Sequence, residues 1–430
     1  MKGLKINLCK ELLASSMRYF FSFFALSLAI ANVQAQESKV YVKNIKTLQT
    51  TLGGQWDAAP ILVLGSHNFI EISFDDLQHS FVHYTYTLTH CDASWNSSQL
   101  LESEYMNGFS SNRIEDYGQS MNTQMEYNHY TLRLPNDDVE LLISGNYRVT
   151  VYNDDDDSDE PVFETCFSVL EPHVGIDMEV TTNTDIDTHD KHQQVNFNIN
   201  YANYRVVNPV DEFKPVVYQN RRTDNKVEDL RPTYLRSNQL VYNHNRQLIF
   251  PAGNEYRRFE ILDEYQPTMN VETMEYFAPY YHATLFTDKP RQNYIFDRDQ
   301  NGLYYIRNEE NIDIETESDY FYTHFTLETP IVGNGEVYLH GNLTNNQFDE
   351  AYRMNYNYID HRYELVLPLK QGSYNYQYLF VSEDSDRGST AEIEGNYYQT
   401  ENEYTVLVYH RPFGLRYDKL VGYQRVIFSY

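Results

Sequence analysis

The sequence predicts an all-β protein built of tandem β-sandwich modules. Its 430 residues include 40 Tyr and 23 Phe, side chains that suit the pleated, half-buried surface of a sheet. Short runs of alternating polar and apolar residues recur along the chain, separated by Gly, Pro, Asn and Asp. Two segments, residues 99–105 and 271–277, have a spacing that instead allows a helical turn or two.

The first 35 residues predict a cleaved signal peptide. Four basic residues accompany an apolar run at 19–33, which ends in the small-residue pattern of a signal-peptidase site at Ala35. We expect cleavage after Ala35 and an exported chain that begins at Gln36. The apolar run is shorter than the about 20 residues that a membrane helix needs, so no direct membrane span is expected.

Composition and motifs narrow the function classes. The chain has 33 Lys+Arg and 62 Asp+Glu, a formal net charge of −29, which argues against a nucleic-acid or anionic-membrane partner. It lacks a G-x-S-x-G elbow, an H-E-x-x-H helix, a glycine-rich phosphate loop and a C-x-x-C pair. We therefore expect no enzymatic activity, no cofactor and no small-molecule ligand. A pair of glycosidase carboxylates stays open, because their separation is a three-dimensional property.

The first module is predicted to be an immunoglobulin-like sandwich over residues 36–171. Turn residues at 65–68 and 135–138 and an acidic run at 154–160 separate its strands, and Pro172 follows as a plausible boundary. The number and spacing of these strands fit one such sandwich. The predicted strands are 61–64, 69–74, 82–88, 127–134, 145–152 and 162–170.

Two further β-modules are predicted after Pro172. The middle β-domain covers residues 172–328, and a C-terminal sandwich covers residues 329–430. The predicted middle strands are 175–181, 195–201, 216–220 and 239–250. The predicted C-terminal strands are 331–340, 363–369, 374–381, 404–409 and 421–430.

Several ordered segments resemble the plug proteins of the type IX secretion system. In chain order they are S-F-D-D-L at 73–77, Y-T-Y-T-L-T-H-C-D-A-S-W at 84–95, E-Y-M-N-G-F at 104–109, the run 127–135, S-G-N-Y at 144–147, Q-N at 219–220 and F-P-A-G-N-E-Y-R at 250–257. The resemblance implies a periplasmic protein, peripherally associated with the outer membrane, that closes the periplasmic opening of an outer-membrane secretion barrel. It names no residues of the channel interface.

The C-terminal module also resembles early-set and glycogen-binding sandwich domains. The resemblance lies in V-Y-L-H-G-N-L at 337–343 and L-K-Q-G-S-Y-N-Y at 369–376. Sugar-binding members usually carry a Trp after the first strand, whereas this chain has Asn346, Gln347 and Phe348 there. An aromatic platform for a sugar is therefore not expected.

Cys91 and Cys166 are the candidates for a disulfide. Both follow the predicted cleavage site, in an oxidising compartment that permits a bridge. Two buried thiols in a well-packed β-domain are the alternative, because the sequence does not give the Cα separation. Both interpretations stay open at this point.

The weak metal candidate is the loop that contains Asp297, Asp299 and Asn301. Its spacing matches the opening of a calcium loop, but position twelve is Asn308 rather than a bidentate Glu. Asn301 and Gly302 are also a favoured hairpin pair. The sequence therefore favours a metal-free hairpin tip between strands at 294–296 and 303–306.

Two other polar segments are interpreted as loops without metal. The acidic run at 154–160 lacks a regular ligand pattern and is expected to be solvated. The segment with Asp187, His189, Asp190 and His192 could form a surface metal site, but a polar loop explains it as well.

Three function classes remain after these observations. The favoured class is a non-catalytic gating subunit, or plug, of the type IX secretion barrel. The alternative is an exported carbohydrate-binding or carbohydrate-cleaving protein. A third class, an outer-membrane barrel, is suggested by the terminal aromatic residue Tyr430, yet most predicted runs are shorter than the about 10 residues of a barrel strand.

Overall fold

The computed structural model describes residues 38–78, 80–156, 158–309 and 313–430 as one compact unit of packed β-sheets. The predicted signal peptide and its cleavage site lie outside the described residues. Among the described residues, no helix has the length and apolar character to cross a membrane. The all-β prediction is confirmed: strands dominate, and the helices are short.

The first sandwich contains strands β1 to β12. A four-stranded sheet, in the order β2-β4-β9-β8, packs against one half of a nine-stranded sheet, in which β12-β11-β5-β7 are neighbours and β1 and β3 pair with β12. The strands are β1 Lys39–Val40, β2 Ile45–Leu52, β3 Ile61–Val63, β4 Ile70–Asp76, β5 Tyr84–Cys91, β6 Met106–Gly108, β7 Ser111–Arg113, β8 Asp116–Gln119, β9 Asn128–Leu134, β10 Val139–Leu141, β11 Gly145–Asn153 and β12 Pro161–Leu170.

The core of the first sandwich explains why these segments form strands. Alternate residues of β4, Ile70, Ile72 and Phe74, are fully buried between the two sheets. Phe74 stacks on Tyr130 of β9, with ring centroids 5.1 Å apart. This period of two matches the side-chain alternation of a strand, so the hydrophobic pattern fixes the face that each strand buries.

The middle sandwich combines residues from two distant parts of the chain. A five-stranded sheet, in which β13-β14-β17-β16 are neighbours and β18 pairs with β14, packs against the β15-β29-β30 part of the nine-stranded sheet. The strands are β13 Gly175–Thr181, β14 His192–Asn200, β15 Phe213–Gln219, β16 Tyr234–Arg236, β17 Gln239–Tyr242, β18 Ile249–Pro251, β29 Asn402–His410 and β30 Lys419–Phe428. Because β30 pairs with β12, the nine-stranded sheet continues through the first and middle sandwiches.

The third sandwich is formed by residues that lie, in the sequence, between the two parts of the middle sandwich. A sheet of β19-β27-β22, with β24 and β28 paired to β27, packs against the five-stranded sheet β20-β21-β23-β26-β25. The strands are β19 Arg257–Ile261, β20 Val271–Phe277, β21 Tyr280–Leu285, β22 Tyr304–Ile306, β23 Tyr320–Leu327, β24 Gly335–His340, β25 Asn355–Asn357, β26 Arg362–Lys370, β27 Gly372–Ser382 and β28 Gly388–Ser389.

The observed strand pairing differs from the expected division into a middle β-domain of residues 172–328 and a C-terminal sandwich of residues 329–430. Tyr320–Leu327 pairs along its whole length with Arg362–Lys370, so residue 328 does not separate two sheets. Asn402–His410 pairs instead with Phe213–Gln219 of the middle sandwich. The physical reason is that long-range strand pairing is decided by packing, whereas alternation in the sequence reports only which face of a strand is buried.

The helical segments are short. One expected helical turn, within residues 99–105, is present as α1 Glu102–Tyr105, and α2 is Pro209–Glu212. Three 3-10 turns are Arg246–Leu248, Asn342–Thr344 and Glu350–Tyr352. The other segment whose spacing allowed a helical turn, residues 271–277, instead pairs with Tyr280–Leu285 as strand β20.

Candidate functional site

A buried ionic centre joins the first and third sandwiches. Asp75, at the end of β4, is completely buried, and its Oδ2 lies 2.8 Å from the Nζ of Lys370 on β26. The Tyr320 hydroxyl donates to the same oxygen at 2.6 Å, and His129 Nδ1 lies 2.6 Å from Oδ1. A carboxylate from one sandwich is thus held by a cation and a hydroxyl from another.

The electrostatics of this centre favour an ionised Asp75. Burial by itself would raise its pKa, but the adjacent Lys370 and His129 lower the pKa below its ordinary value. Burial lowers the pKa of Lys370, and Asp75 opposes that change. Lys370 also donates to the Glu315 carbonyl at 2.6 Å and lies 4.1 Å from the centroid of the Tyr127 ring. The ammonium therefore has several partners that compensate for its lost hydration.

A second buried charged group lies at the start of the third sandwich. Arg257, the last residue of the F-P-A-G-N-E-Y-R segment, contacts Asp288 at 2.6 Å and Glu394 at 2.9 Å. Burial opposes its charged form, but Glu394 and Asp288 raise the pKa of Arg257 overall. The hydroxyls of Tyr376 and Tyr378 donate to Asp288 Oδ2 at 2.7 and 2.9 Å. The guanidinium thus joins a carboxylate after β21 to one that follows β28.

An amide network links this segment to the middle sandwich. Asn402 Nδ2 donates to Gln193 Oε1 at 3.0 Å and to the Ala252 carbonyl at 2.8 Å. Asn220 Nδ2 donates to Asn402 Oδ1 at 2.7 Å, and the Asn220 side chain accepts from the Glu403 amide at 2.8 Å. These buried neutral bonds connect four separate chain segments.

A cleft of about 400 Å³ lies beside the amide network. It is lined by residues of the middle and third sandwiches that include Asn220, Arg222, Asn254, Tyr256 and Gln377. Its polar groups are largely engaged within the protein: Arg222 pairs with Asp224 at 2.7 Å, and Gln377 donates to the Tyr256 hydroxyl at 3.1 Å. The volume would suit a small ligand, but the chemistry of the lining is that of a structural junction.

Of the two interpretations left open for the cysteines, the structure agrees with two buried thiols. Cys91 and Cys166 are buried thiols that are not joined by a disulfide, and they pack in one cluster with Trp95. Strand β11 lies between β5 and β12, with Cys91 opposite Asn146 and Cys166 opposite Arg148. Two inter-strand spacings amount to about 10 Å, beyond the about 7 Å that a disulfide can bridge. Burial raises the pKa of the Cys91 thiol to about 11.

The two carboxylates of the weak metal candidate have different partners within the protein. Asp297 pairs with Arg258 at 2.7 Å, whereas Asp299 accepts from the backbone amides of Tyr256 and Asn301. Burial, with nearby Glu255, raises the pKa of Asp299 to about 7. Within the described ranges, no group of three or more His, Cys, Asp or Glu side chains is placed to hold a metal ion.

The hairpin predicted at this loop is also wrong in part. Asn301 and Gly302 have positive φ, at 51° and 86°, as the Asn-Gly turn requires. Residues 294–296 do not form a strand, however, and Tyr304–Ile306 pairs with β27. The turn therefore leads into a strand that pairs with a distant part of the chain and not with residues 294–296.

The other polar loops have local partners. Asp154 pairs with Arg113 at 2.6 Å and Asp155 with His83 at 2.9 Å, on the surface. Asp187 lies 2.6 Å from His192 Nδ1, whereas His189 Nδ1 contacts the Thr182 hydroxyl at 2.7 Å. In the C-terminal region, Phe348 packs against Tyr338 and His340, with centroids 5.3 Å from each.

The β20–β21 hairpin carries an exposed aromatic surface that the sequence analysis missed. Tyr276 is 51% exposed, Phe277 56% and Tyr280 37%. Phe277 contacts His282, which stacks on Tyr322 of β23 with centroids 5.4 Å apart. The run of aromatic residues on both sides of Ala278 and Pro279 was the available signal, since it marks a hairpin tip.

Comparisons with known proteins agree with this architecture. The family model described as the type 9 secretion system plug protein first domain matches residues 45–171, from the start of β2 to the residue after β12. A crystal structure of a hypothetical protein from Parabacteroides merdae has a TM-score of 0.90 and 47% identity, covering 92% of this chain and 100% of that chain. No curated protein matches the sequence.

The first sandwich thus contains the sequence of a plug protein first domain, and it is continuous with the middle sandwich through the nine-stranded sheet. The chain belongs to the type IX secretion system plug protein family.

Proposed function

We propose that this protein is a non-catalytic periplasmic plug, a gating subunit that closes the outer-membrane translocon barrel of type IX secretion. The observation that carries the proposal is the family match over residues 45–171, the whole of which lies in the first sandwich. The predicted signal peptide supports export, and the proposed location is the periplasm, at the inner face of the outer membrane.

The packing of the sandwiches supports the proposed role as a plug. A plug has to keep its shape while it lies against a channel mouth. The Asp75–Lys370 pair fixes the third sandwich to the first, and the shared nine-stranded sheet fixes the first to the middle. Buried charged groups that are paired with each other favour one arrangement of packed elements over others.

The side-chain chemistry supports a structural role over catalysis. Arg257 contacts Asp288 and Glu394, and Asp75 contacts Lys370, so these buried charges are compensated by each other. A catalytic acid or base needs access to a substrate, which such pairs do not have.

The proposal is tested by affinity isolation of the tagged, full-length protein from detergent-solubilised outer membrane. We expect the secretion barrel to be recovered with the tagged protein and to be absent from an isolation with an unrelated tagged periplasmic protein. Recovery of the plug without any outer-membrane barrel would contradict the proposal. Release of a sugar from a glycan by the purified protein would contradict its non-catalytic part.

A further inference from the structure

One edge of the third sandwich has an unpaired strand backbone. β20 is the terminal strand of its five-stranded sheet, and among the described residues it pairs only with β21. No described residue forms a hydrogen bond to the backbone of residues 272–277 from the outer side. At about 3.4 Å per residue, the open edge is about 20 Å long. Exposed edges of this kind are templates for another strand.

The side chains next to this edge form a continuous aromatic surface. Cross-strand pairing places Glu275 opposite His282 and Phe277 opposite Tyr280. Tyr280 contacts Tyr322 with ring centroids 5.2 Å apart, and His282 Nδ1 lies 2.9 Å from His324 Nε2. Aromatic rings add contact area at low entropic cost, so an added strand would gain packing as well as backbone hydrogen bonds.

The charges of β20 determine which strand fits. Glu272 and Glu275 are exposed, and neither forms a hydrogen bond or an ion pair with another residue in the described part of the chain. A second copy of β20 would place four glutamates in one short ladder, and like charges across a ladder are destabilising. A strand with Lys or Arg side chains would instead neutralise them.

We propose that the open edge of β20 is the site where the partner barrel of the proposed function adds an extended segment to the third sandwich. This inference rests on the proposed function. The segment carries a basic side chain beside Glu275 and, two residues away on the same face, an apolar side chain beside Phe277. Backbone hydrogen bonds supply affinity and the side-chain pattern supplies specificity, as in other strand-addition complexes.

The test compares full-length tagged variants in the isolation of the barrel from solubilised outer membrane. The edge variants are Glu275→Lys and Phe277→Ser. The matched controls are Glu179→Lys, which reverses an exposed charge on the edge strand β13, and Phe413→Ser, which removes an apolar side chain that is 101% exposed elsewhere. A photo-reactive amino acid at Thr273 is tested in parallel with one at Phe413.

We expect each edge variant to reduce barrel recovery at least tenfold, both controls to match the wild type, and the Thr273 probe alone to cross-link to the barrel. Full recovery with the edge variants and no cross-link from Thr273 would overturn this inference while leaving the proposed plug in place. Absence of the barrel from the wild-type isolation would overturn the proposed function together with this inference.

Discussion

In the third sandwich, one side of a sheet is buried against the first sandwich and the other side ends in an exposed strand edge. On one side, Tyr320 of β23 and Lys370 of β26 are buried against the first sandwich and contact Asp75. On the other side, β20 keeps an open backbone edge beside exposed aromatic rings. Both sides carry polar groups. The buried side pairs its charges within the protein, whereas Glu272, Glu275 and the outer backbone of β20 have no hydrogen-bond or ion-pair partner in the described part of the chain.

This difference distinguishes residues that stabilise the fold from residues that are available for binding. A buried charge whose partner is removed destabilises a fold strongly, because it cannot recover its hydration. An exposed strand edge is solvated, so changing its side chains has little effect on folding. We therefore expect substitutions on the two sides of this sheet to have distinct effects, one on unfolding and the other on association.

The largest expected effect comes from Lys370. Lys370→Met leaves Asp75 buried without its cation, and we expect a loss of about 3–5 kcal/mol in the free energy of unfolding. The measurement is urea unfolding followed by tryptophan fluorescence. The double variant Asp75→Asn/Lys370→Met removes both charges and should recover part of the loss. A loss below about 1 kcal/mol for Lys370→Met would show that the ion pair does not hold the junction.

A smaller effect is expected from Asp299 and depends on pH. Its folded pKa is raised to about 7 from an ordinary value of 3.8, so its stabilising contribution is complete below about pH 4 and is lost as the pH rises to about 7. The side chain keeps some contact with water, so we expect about 1–3 kcal/mol. Asp299→Asn should remove this part of the pH profile. An unchanged profile would contradict the raised pKa.

The two cysteines are expected to differ in thiol reactivity between the folded and the unfolded protein. In protein expressed as residues 36–430, we expect both thiols to react with iodoacetamide in urea and neither to react rapidly in the native state at pH 8. The reason is their burial, with the pKa of Cys91 at about 11. Mass spectrometry without reductant checks this. A mass lower by the two hydrogens of a disulfide would contradict the strand order.

The smallest expected effect on folding is at the open edge. Phe277→Ser and Glu275→Lys should each change the free energy of unfolding by less than about 0.5 kcal/mol, because both side chains are exposed. Thermal unfolding of the purified variants provides the measurement. A loss as large as that of Lys370→Met would mean that the edge is part of the folded core, and the comparison between the two sides would fail.

The sequence predicted the strands well because alternation is a local property. The run predicted at 145–152 is present as Gly145–Asn153, and the run at 162–170 is present within Pro161–Leu170. The segment 271–277 was left open to a helical turn, because Val271 and Met274 have helical spacing and its pairing with β21 is a tertiary effect.

Contacts between residues that are distant along the chain could not be predicted from the sequence. Asp75 lies in the S-F-D-D-L segment, but the sequence did not single it out, and its partner Lys370 lies 295 residues away. Likewise, the strands of Cys91 and Cys166 were recognised as parts of one sandwich, but nothing in their spacing revealed that β11 lies between them. Strand order is set by packing over the whole chain, which alternation does not encode.

The central claim is that this protein closes the secretion barrel, and outer-membrane permeability tests it most directly. A strain that lacks the protein is compared with the parent, and with the same strain re-expressing the chain with its leader, for entry of large antibiotics that the intact outer membrane excludes. We predict that the barrel still assembles in the deletion strain, that antibiotic entry increases, and that re-expression restores the barrier. Unchanged entry with an assembled barrel would contradict the plug assignment.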